Sequence, residues 1–177
     1  MKPLTNAEIA VLSLLVEQDR HGYEIEEIIE ERGMREWTEI GFSSIYTVLS
    51  KLEKQGLASA RLTAARGKGP ARKVYHATAP GRSTYRRSVL DALSVPRRLF
   101  PLLQQGLAGL PGIPAADASA ALSRYAKALR ERQAGVRKKR VAGEAPFHVE
   151  CMFDYSEHMV GAEAQWVEEL AKKLRRR

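Results

Sequence analysis

The 177-residue chain carries 29 Lys and Arg against 21 Asp and Glu, a net charge of +8, with one cysteine, Cys151. A lone cysteine excludes an internal disulfide and fits a reducing cytoplasm. No apolar run approaches the roughly 18 residues of a membrane span, no secretory signal is visible, and the length suffices to bury a core without covalent staples. The charge is unevenly spread: residues 1–39 balance at −6, residues 40–87 at +9 with Glu53 as the only acid, and residues 88–177 at +5. A basic block of this kind is the electrostatic footprint of a nucleic-acid binder.

Thr5-Asn6-Ala7-Glu8 has the spacing of a capping box, which predicts a first helix running to about residue 18. Ile9, Leu12, Leu15 and Val16 form its inner face, widened by Val11 and Leu14. His21-Gly22-Tyr23-Glu24-Ile25 opens a second helix that ends at Gly33. Ile25, Ile28 and Ile29 face inward, Tyr23 is expected to pack on the first helix, and His21 reads as a structural helix-entry residue. Glu26, Glu27, Glu30 and Glu31 face outward and would repel phosphate, so this surface is expected to point away from a polyanion. Trp37, in the connection that follows, either covers the base of the core or faces a ligand.

Residues 41–57 hold the third helix. Ile45, Val48, Leu49 and Leu52 recur at i, i+3, i+4 and i+7 and define one apolar face. Ser43 or Ser44 can cap its start, and Gly56 stands where a helix stops. The opposite face carries Ser43, Thr47, Ser50, Lys51 and Lys54, flanked by Tyr46 and Ser44. Small hydroxyls with lysines at the far end suit close approach to a polyanion, and the helix reads as one that enters a DNA major groove.

Beyond Leu57 the pattern becomes extended. Ala58-Ser59-Ala60-Arg61-Leu62 and Arg72-Lys73-Val74-Tyr75-His76-Ala77-Thr78 flank the turn-rich Ala64-Ala65-Arg66-Gly67-Lys68-Gly69-Pro70, which predicts a hairpin with a long tip. Three helices followed by a basic hairpin make a winged helix-turn-helix, with Arg66, Lys68 and Arg72 offered to phosphate or minor groove.

A break at Thr78-Ala79-Pro80-Gly81 precedes a long helix over residues 81–106, with Tyr85, Val89, Leu93, Leu99 and Phe100 on its buried side and Pro96 and Pro101 kinking or interrupting it. Residues 106–114 are a turn-rich linker. Residues 116–141 and 148–174 read as two long helices, the first with Leu122, Tyr125 and Leu129, the second with Met152, Met159, Trp166, Val167 and Leu170. Two amphipathic helices on a short turn cannot bury their faces alone, and pairing with a second copy is the economical answer. The expected fold is therefore mostly α: a winged helix-turn-helix DNA-binding domain with a two-stranded wing over residues 1–80, and a long-helix dimerisation region, open to effector sensing, over residues 81–177.

Enzyme chemistry finds no foothold here. No Gly-rich loop follows a strand, no nucleophile elbow appears, and Gly67-Lys68-Gly69-Pro70 lacks P-loop length. His148 and Cys151 form an i, i+3 pair without visible further ligands, so neither metal nor cofactor is expected. The competing reading from another class is a winged helix that binds an acidic protein partner without sequence-specific DNA recognition.

The blocks His21-Gly22-Tyr23-Glu24-Ile25, then Ser44-Ile45-Tyr46 with Leu49, Leu52-Glu53 and Gly56-Leu57, then Arg72-Lys73 with Tyr75, Thr78 and Gly81, resemble the PadR family of transcriptional regulators in order and spacing, over roughly residues 5–85. The resemblance implies a homodimeric regulator, usually a repressor, that binds double-stranded DNA and is released by a small-molecule effector. It implies DNA contacts at Tyr46 and at Ser43, Ser44, Thr47, Lys51 and Lys54, and wing contacts at Lys73 and Tyr75. The family often has proline after that tyrosine, where this chain has Thr47. Effector contacts are expected among Trp37, Tyr85, Phe100, Tyr155 and Trp166, between the long helices and the wing domain.

Overall fold

The computed structural model describes residues 3–38, 40–41, 45–63, 72–140 and 145–176, with the Arg72 side chain excepted. It divides into two compact units, residues 1–98 and 99–177.

In the first unit, α1 (Asn6–Glu17) starts at a complete capping box: the Thr5 N–H donates to Glu8 Oε2 at 2.7 Å and the Glu8 N–H donates to Thr5 Oγ1 at 3.2 Å. Arg20 and His21 form a two-residue strand, β1, followed by α2 (Gly22–Glu31). Gly33, left-handed at φ 59°, turns the chain into a single 3-10 turn at Met34–Glu36. Next come α3 (Ile45–Lys54), β2 (Ala58–Thr63) and β3 (Arg72–Ala77). The sheet has the order β1-β3-β2, wholly antiparallel, with Ala58 opposite Ala77 and Arg20 opposite Tyr75. The hairpin is the expected wing. The third strand was not expected, because two residues are too few to display an alternating pattern.

The apolar faces read from the helical periods meet in one core. Leu12, Leu14 and Leu15 of α1, Ile25 and Ile29 of α2, and Ile45, Leu49 and Leu52 of α3 are fully buried, closed below by Leu57, Ala58, Tyr75 and Ala77. Arg20 is buried too, its Nε donating to the Leu14 carbonyl at 3.1 Å and its Nη2 meeting Glu17 Oε2 at 2.9 Å. Tyr23 departs from its expected place on the first helix: it is 40 % exposed and stacks on the His21 ring, with centroids 5.4 Å apart.

Helix α4 (Ala79–Ser94) is capped by Thr78, whose hydroxyl accepts the Gly81 N–H at 3.0 Å. A Cβ on Gly81 would stand 1.9 Å from the Leu57 carbonyl oxygen, so only glycine lets α4 start this close to β2. The helix expected to run to residue 106 stops at Ser94, with Val95 extended at φ −117° and ψ 104°. Pro96 forces this, because the residue before a proline is driven out of the helical region.

In the second unit, α5 (Leu102–Ala108) and a 3-10 turn lead to α6 (Ala115–Lys139), and residues 145–146 precede α7 (Phe147–Arg175). α6 and α7 pack along a seam of small residues, Ala118, Ser119, Ala126, Ala164 and Ala171, with Leu122, Leu129 and Val167 filling the spaces. The Ser119 hydroxyl donates to the Ala171 carbonyl at 2.9 Å, and Arg130 makes a paired contact with the Glu168 carboxylate at 2.8 and 3.0 Å. Solvent screens such an exposed ion pair, so the apolar seam does most of the holding. Among the described residues, no helix is long and apolar enough to cross a membrane.

Candidate nucleic-acid interface

Helix α3 presents its polar side to solvent because its apolar side is taken by the core. Ile45, Val48, Leu49 and Leu52 are buried, while Tyr46, Thr47, Ser50, Lys51 and Lys54 are exposed. Ten residues at about 1.5 Å each give a rod roughly 15 Å long, which suits a groove about 12 Å wide. Gly56 ends it at φ 69°, and its carbonyl accepts the Thr78 hydroxyl at 2.7 Å, tying the helix end to the foot of the wing. Ser43 and Ser44 lie outside the described residues.

The two lysines of α3 sit in different settings. Lys51 Nζ lies 2.6 Å from Glu8 Oε1, and the Glu8 side chain is only 3 % exposed. Burial pushes the Glu8 carboxyl up, but the Lys51 ammonium and the Thr5 backbone N–H outweigh it and hold the group below the usual carboxylate range. Lys51 thus closes an ion pair with the α1 capping box, whereas Lys54, one turn further on, is exposed.

The wing brings Lys73 and Tyr75 alongside α3. Lys73 is exposed, with Nζ 5.9 Å from the Tyr75 ring centroid and 3.8 Å from Glu53 Oε2. Tyr75 is buried, only 7 % exposed; burial, reinforced by Glu53 and Tyr46, pushes its phenol up and keeps it a neutral hydroxyl. Arg72 lies in β3 as backbone, while Arg66 and Lys68 fall outside the described residues. On the other wing strand, Arg61 pairs with Asp19 at 2.9 Å.

Two residues that sequence reasoning gave a purely structural role join this surface. A cleft is lined by His21, Gly22, Tyr23, Tyr46, Lys73 and Tyr75. His21 Nδ1 lies 3.0 Å from the Lys73 carbonyl oxygen, a geometry in which the ring N–H donates to β3. A Cβ on Gly22 would stand 2.6 Å from Tyr46 Cε1, so the hydroxyl end of the Tyr46 ring comes close against the start of α2. The available signal was the glycine directly after His21, which permits this approach. The outward α2 carboxylates are partly answered by Arg35, which contacts Glu30 and lies 3.9 Å from Glu26, and Arg32 meets Glu17 at 2.8 Å.

The expected effector residues are shared between the two units. Trp37 is 51 % exposed, and Tyr85 packs against the first core, its phenol pushed up by burial and by Glu17. In the second unit Phe100 is 85 %, Tyr155 66 % and Trp166 48 % exposed.

Residues 11–87 match the model of the transcriptional regulator PadR-like family. Bacillus subtilis PadR in complex with operator DNA is 18 % identical, at a TM-score of 0.73 over 94 % of this chain and 98 % of that one. The same protein in complex with p-coumaric acid gives 17 % and 0.72, covering 94 % and 97 %. A PadR-like transcriptional regulator of Bacillus cereus is 20 % identical at 0.59, covering 98 % of each chain. At these identities the likeness establishes the fold. A search of the curated proteins found no match.

Proposed function

Because residues 11–87 of this chain belong to the PadR-like family of transcriptional regulators, we propose that the protein is a homodimeric repressor that binds an inverted-repeat operator. The observation that carries this reading is the outward face of α3, where Tyr46, Thr47, Ser50 and Lys54 stand exposed on a helix anchored by four buried aliphatic residues. Ser43 and Ser44 precede it in sequence, and Arg66, Lys68, Arg72 and Lys73 of the wing supply cations for the adjacent backbone. Hydroxyls and the tyrosine read base edges, while the cations hold the phosphates and fix the register.

Pairing of two copies is supported by the side of α7 turned away from α6. Met152, Tyr155, Met159 and Trp166 recur there near heptad spacing and are all exposed, next to an inner seam whose Ala164, Val167 and Ala171 are buried. A second copy covering that stripe brings two recognition helices to one duplex, with half-sites about one helical turn, or a multiple, apart.

Release by a small molecule follows the precedent of Bacillus subtilis PadR, which has been crystallised with operator DNA and with p-coumaric acid. Trp37, Tyr85, Phe100, Tyr155 and Trp166 are the candidate contacts. The ligand acts only through unequal affinity for the DNA-bound and free states. Selection of bound fragments from random and genomic DNA tests the reading. An inverted repeat is expected; weak, sequence-blind binding would overturn it and point to an acidic protein partner.

A further inference from the structure

We propose that Glu8 is a positioning residue for specificity: it withholds the Lys51 ammonium from DNA phosphates, so that binding by α3 leans on base contacts rather than on indiscriminate charge. The proposal rests on the DNA-binding reading and gives a part in it to a residue of the first helix.

Lys51 stands on the outward side of α3, where a lysine would ordinarily be free to meet a phosphate. Its ammonium is already taken. Nζ lies 2.6 Å from Glu8 Oε1, and the Glu8 side chain is only 3 % exposed. Oε1 is buried, and no other donor among the described residues bonds it. Oε2 is engaged by the Thr5 N–H at 2.7 Å. Swinging Lys51 out to a phosphate would leave a dry carboxylate oxygen without a partner, a loss that one phosphate contact made in water does not offset. Other cations of this unit are held more loosely. Arg61 pairs with Asp19 between two exposed side chains, and Lys73 stands 3.8 Å from a partly exposed Glu53. Water screens both pairs and lets their cations go easily. Burial therefore singles out Glu8. The consequence falls on specificity because non-specific binding consists almost wholly of phosphate contacts, made in whatever register the cations find. Specific binding adds base contacts in one fixed register. A cation withheld from the surface weakens the first kind more than the second. Tyr46, Thr47 and Ser50, exposed on the same helix, then carry a larger share of the affinity.

The test uses the full chain and two duplexes, one selected by the wild-type protein from a random pool and one of unselected sequence, each titrated across salt. Glu8→Gln removes the charge but keeps a side chain able to close the capping box. It is expected to bind the unselected duplex several-fold more tightly at low salt, with the salt slope steeper by about one unit. The selected duplex should gain less, so the ratio of the two affinities falls. In a Lys51→Ala background the same change should raise neither affinity nor slope, because no ammonium is left to release. A rise in both backgrounds would mean that the lost negative charge acts on DNA directly, and the proposal would be wrong. An unaltered ratio and slope for Glu8→Gln would also overturn it, with DNA binding by the wild type left standing. A measurement on the wild type alone covers the case of a Glu8→Gln protein that does not fold. The side-chain ammonium NMR signal of Lys51, assigned by its loss in Lys51→Ala, should keep its position when the unselected duplex is added, while that of Lys54 moves. A Lys51 signal that moves with it contradicts the proposal. A wild type that binds neither duplex overturns the DNA-binding reading itself.

Discussion

Lys51 Nζ lies 2.6 Å from Glu8 Oε1, so α3, the proposed recognition helix, carries a cation already engaged by the chain's own first helix. Glu8 closes the α1 capping box as the third residue of the helix, and its other oxygen accepts the Thr5 N–H. One carboxylate thus fixes the start of α1 and the outward side of α3 together. Lys51 and Lys54 look alike in sequence but differ in what they are available to do. Lys51→Ala strands a nearly buried carboxylate and is expected to lower stability by about 1–3 kcal/mol, with little change in salt slope. Lys54→Ala is expected to leave the melting temperature within a degree or two and to flatten the slope by about one unit. Thermal melts and DNA titrations across salt separate the two, and equal slopes would refute the assignment.

The same carboxylate makes stability depend on acidity. The Glu8 pKa is lowered from 4.5 in the folded chain, and so is that of Glu17, which hydrogen-bonds Arg32 and Arg20. A carboxylate with a depressed folded pKa stabilises the native state fully above its unfolded value, and that contribution disappears as pH falls through the folded value. Stability is therefore expected to be flat near neutrality and to decline below about pH 4.5. Glu8→Gln should start lower and lose less over that interval. Denaturant midpoints against pH supply the check, and parallel curves for the two proteins would remove Glu8 from the account.

The joint between the wing and α4 depends on one missing methyl group. Gly81 sits so close to the Leu57 carbonyl that an added Cβ would stand 1.9 Å from its oxygen. Backbone on both sides prevents an easy shift, because Leu57 also accepts the Thr78 N–H at 3.1 Å. Gly81→Ala is expected to cost several kcal/mol or abolish folding of the first unit. Gly106→Ala, where nothing lies within 4 Å of the added carbon, is expected to be neutral or mildly stabilising because it sits inside α5. Comparative melting of the two variants tests this pair.

The buried faces of α1, α2 and α3 were readable because each repeats an apolar period long enough to exceed chance; the expected buried side of the next helix was not, since Leu93, Leu99 and Phe100 are 81 %, 80 % and 85 % exposed. Every residue of the Ile45, Val48, Leu49, Leu52 set is buried, and the Thr5 to Glu8 spacing forms its capping box. What could not be read depends on contacts between distant segments or on very short ones. Glu8 and Lys51 are 43 positions apart, so no local pattern announces their pairing. The strand at Arg20–His21 becomes visible only when β3 lies beside it. Pro96 and Pro101 signalled interruption, yet whether α4 would kink or end was decided by Val95 turning extended. His21 and Tyr23 joined the candidate site because Gly22, between them, lets the Tyr46 ring approach the start of α2.

The exposed stripe on α7 yields the prediction that bears most on how the protein would work. Met159 and Trp166 are 52 % and 48 % exposed, seven residues apart and thus on one side of the helix. The face toward α6 is filled by other residues: Ala164 and Val167 are fully buried, and Gln133 on α6 donates to the Glu157 carbonyl at 3.2 Å beside Gly161. Placing charge at Met159 and Trp166 should therefore leave the α6–α7 hairpin folded while abolishing any association through the stripe. A Met159→Glu, Trp166→Glu double variant is expected to sediment as a monomer with wild-type helix content. Its affinity for a two-half-site duplex should fall by orders of magnitude, because the second recognition helix no longer arrives at high effective concentration. Binding to a single half-site should stay close to the wild-type value. A double variant that remains dimeric would locate the interface elsewhere, and one that loses helix content would show that the stripe supports the hairpin itself.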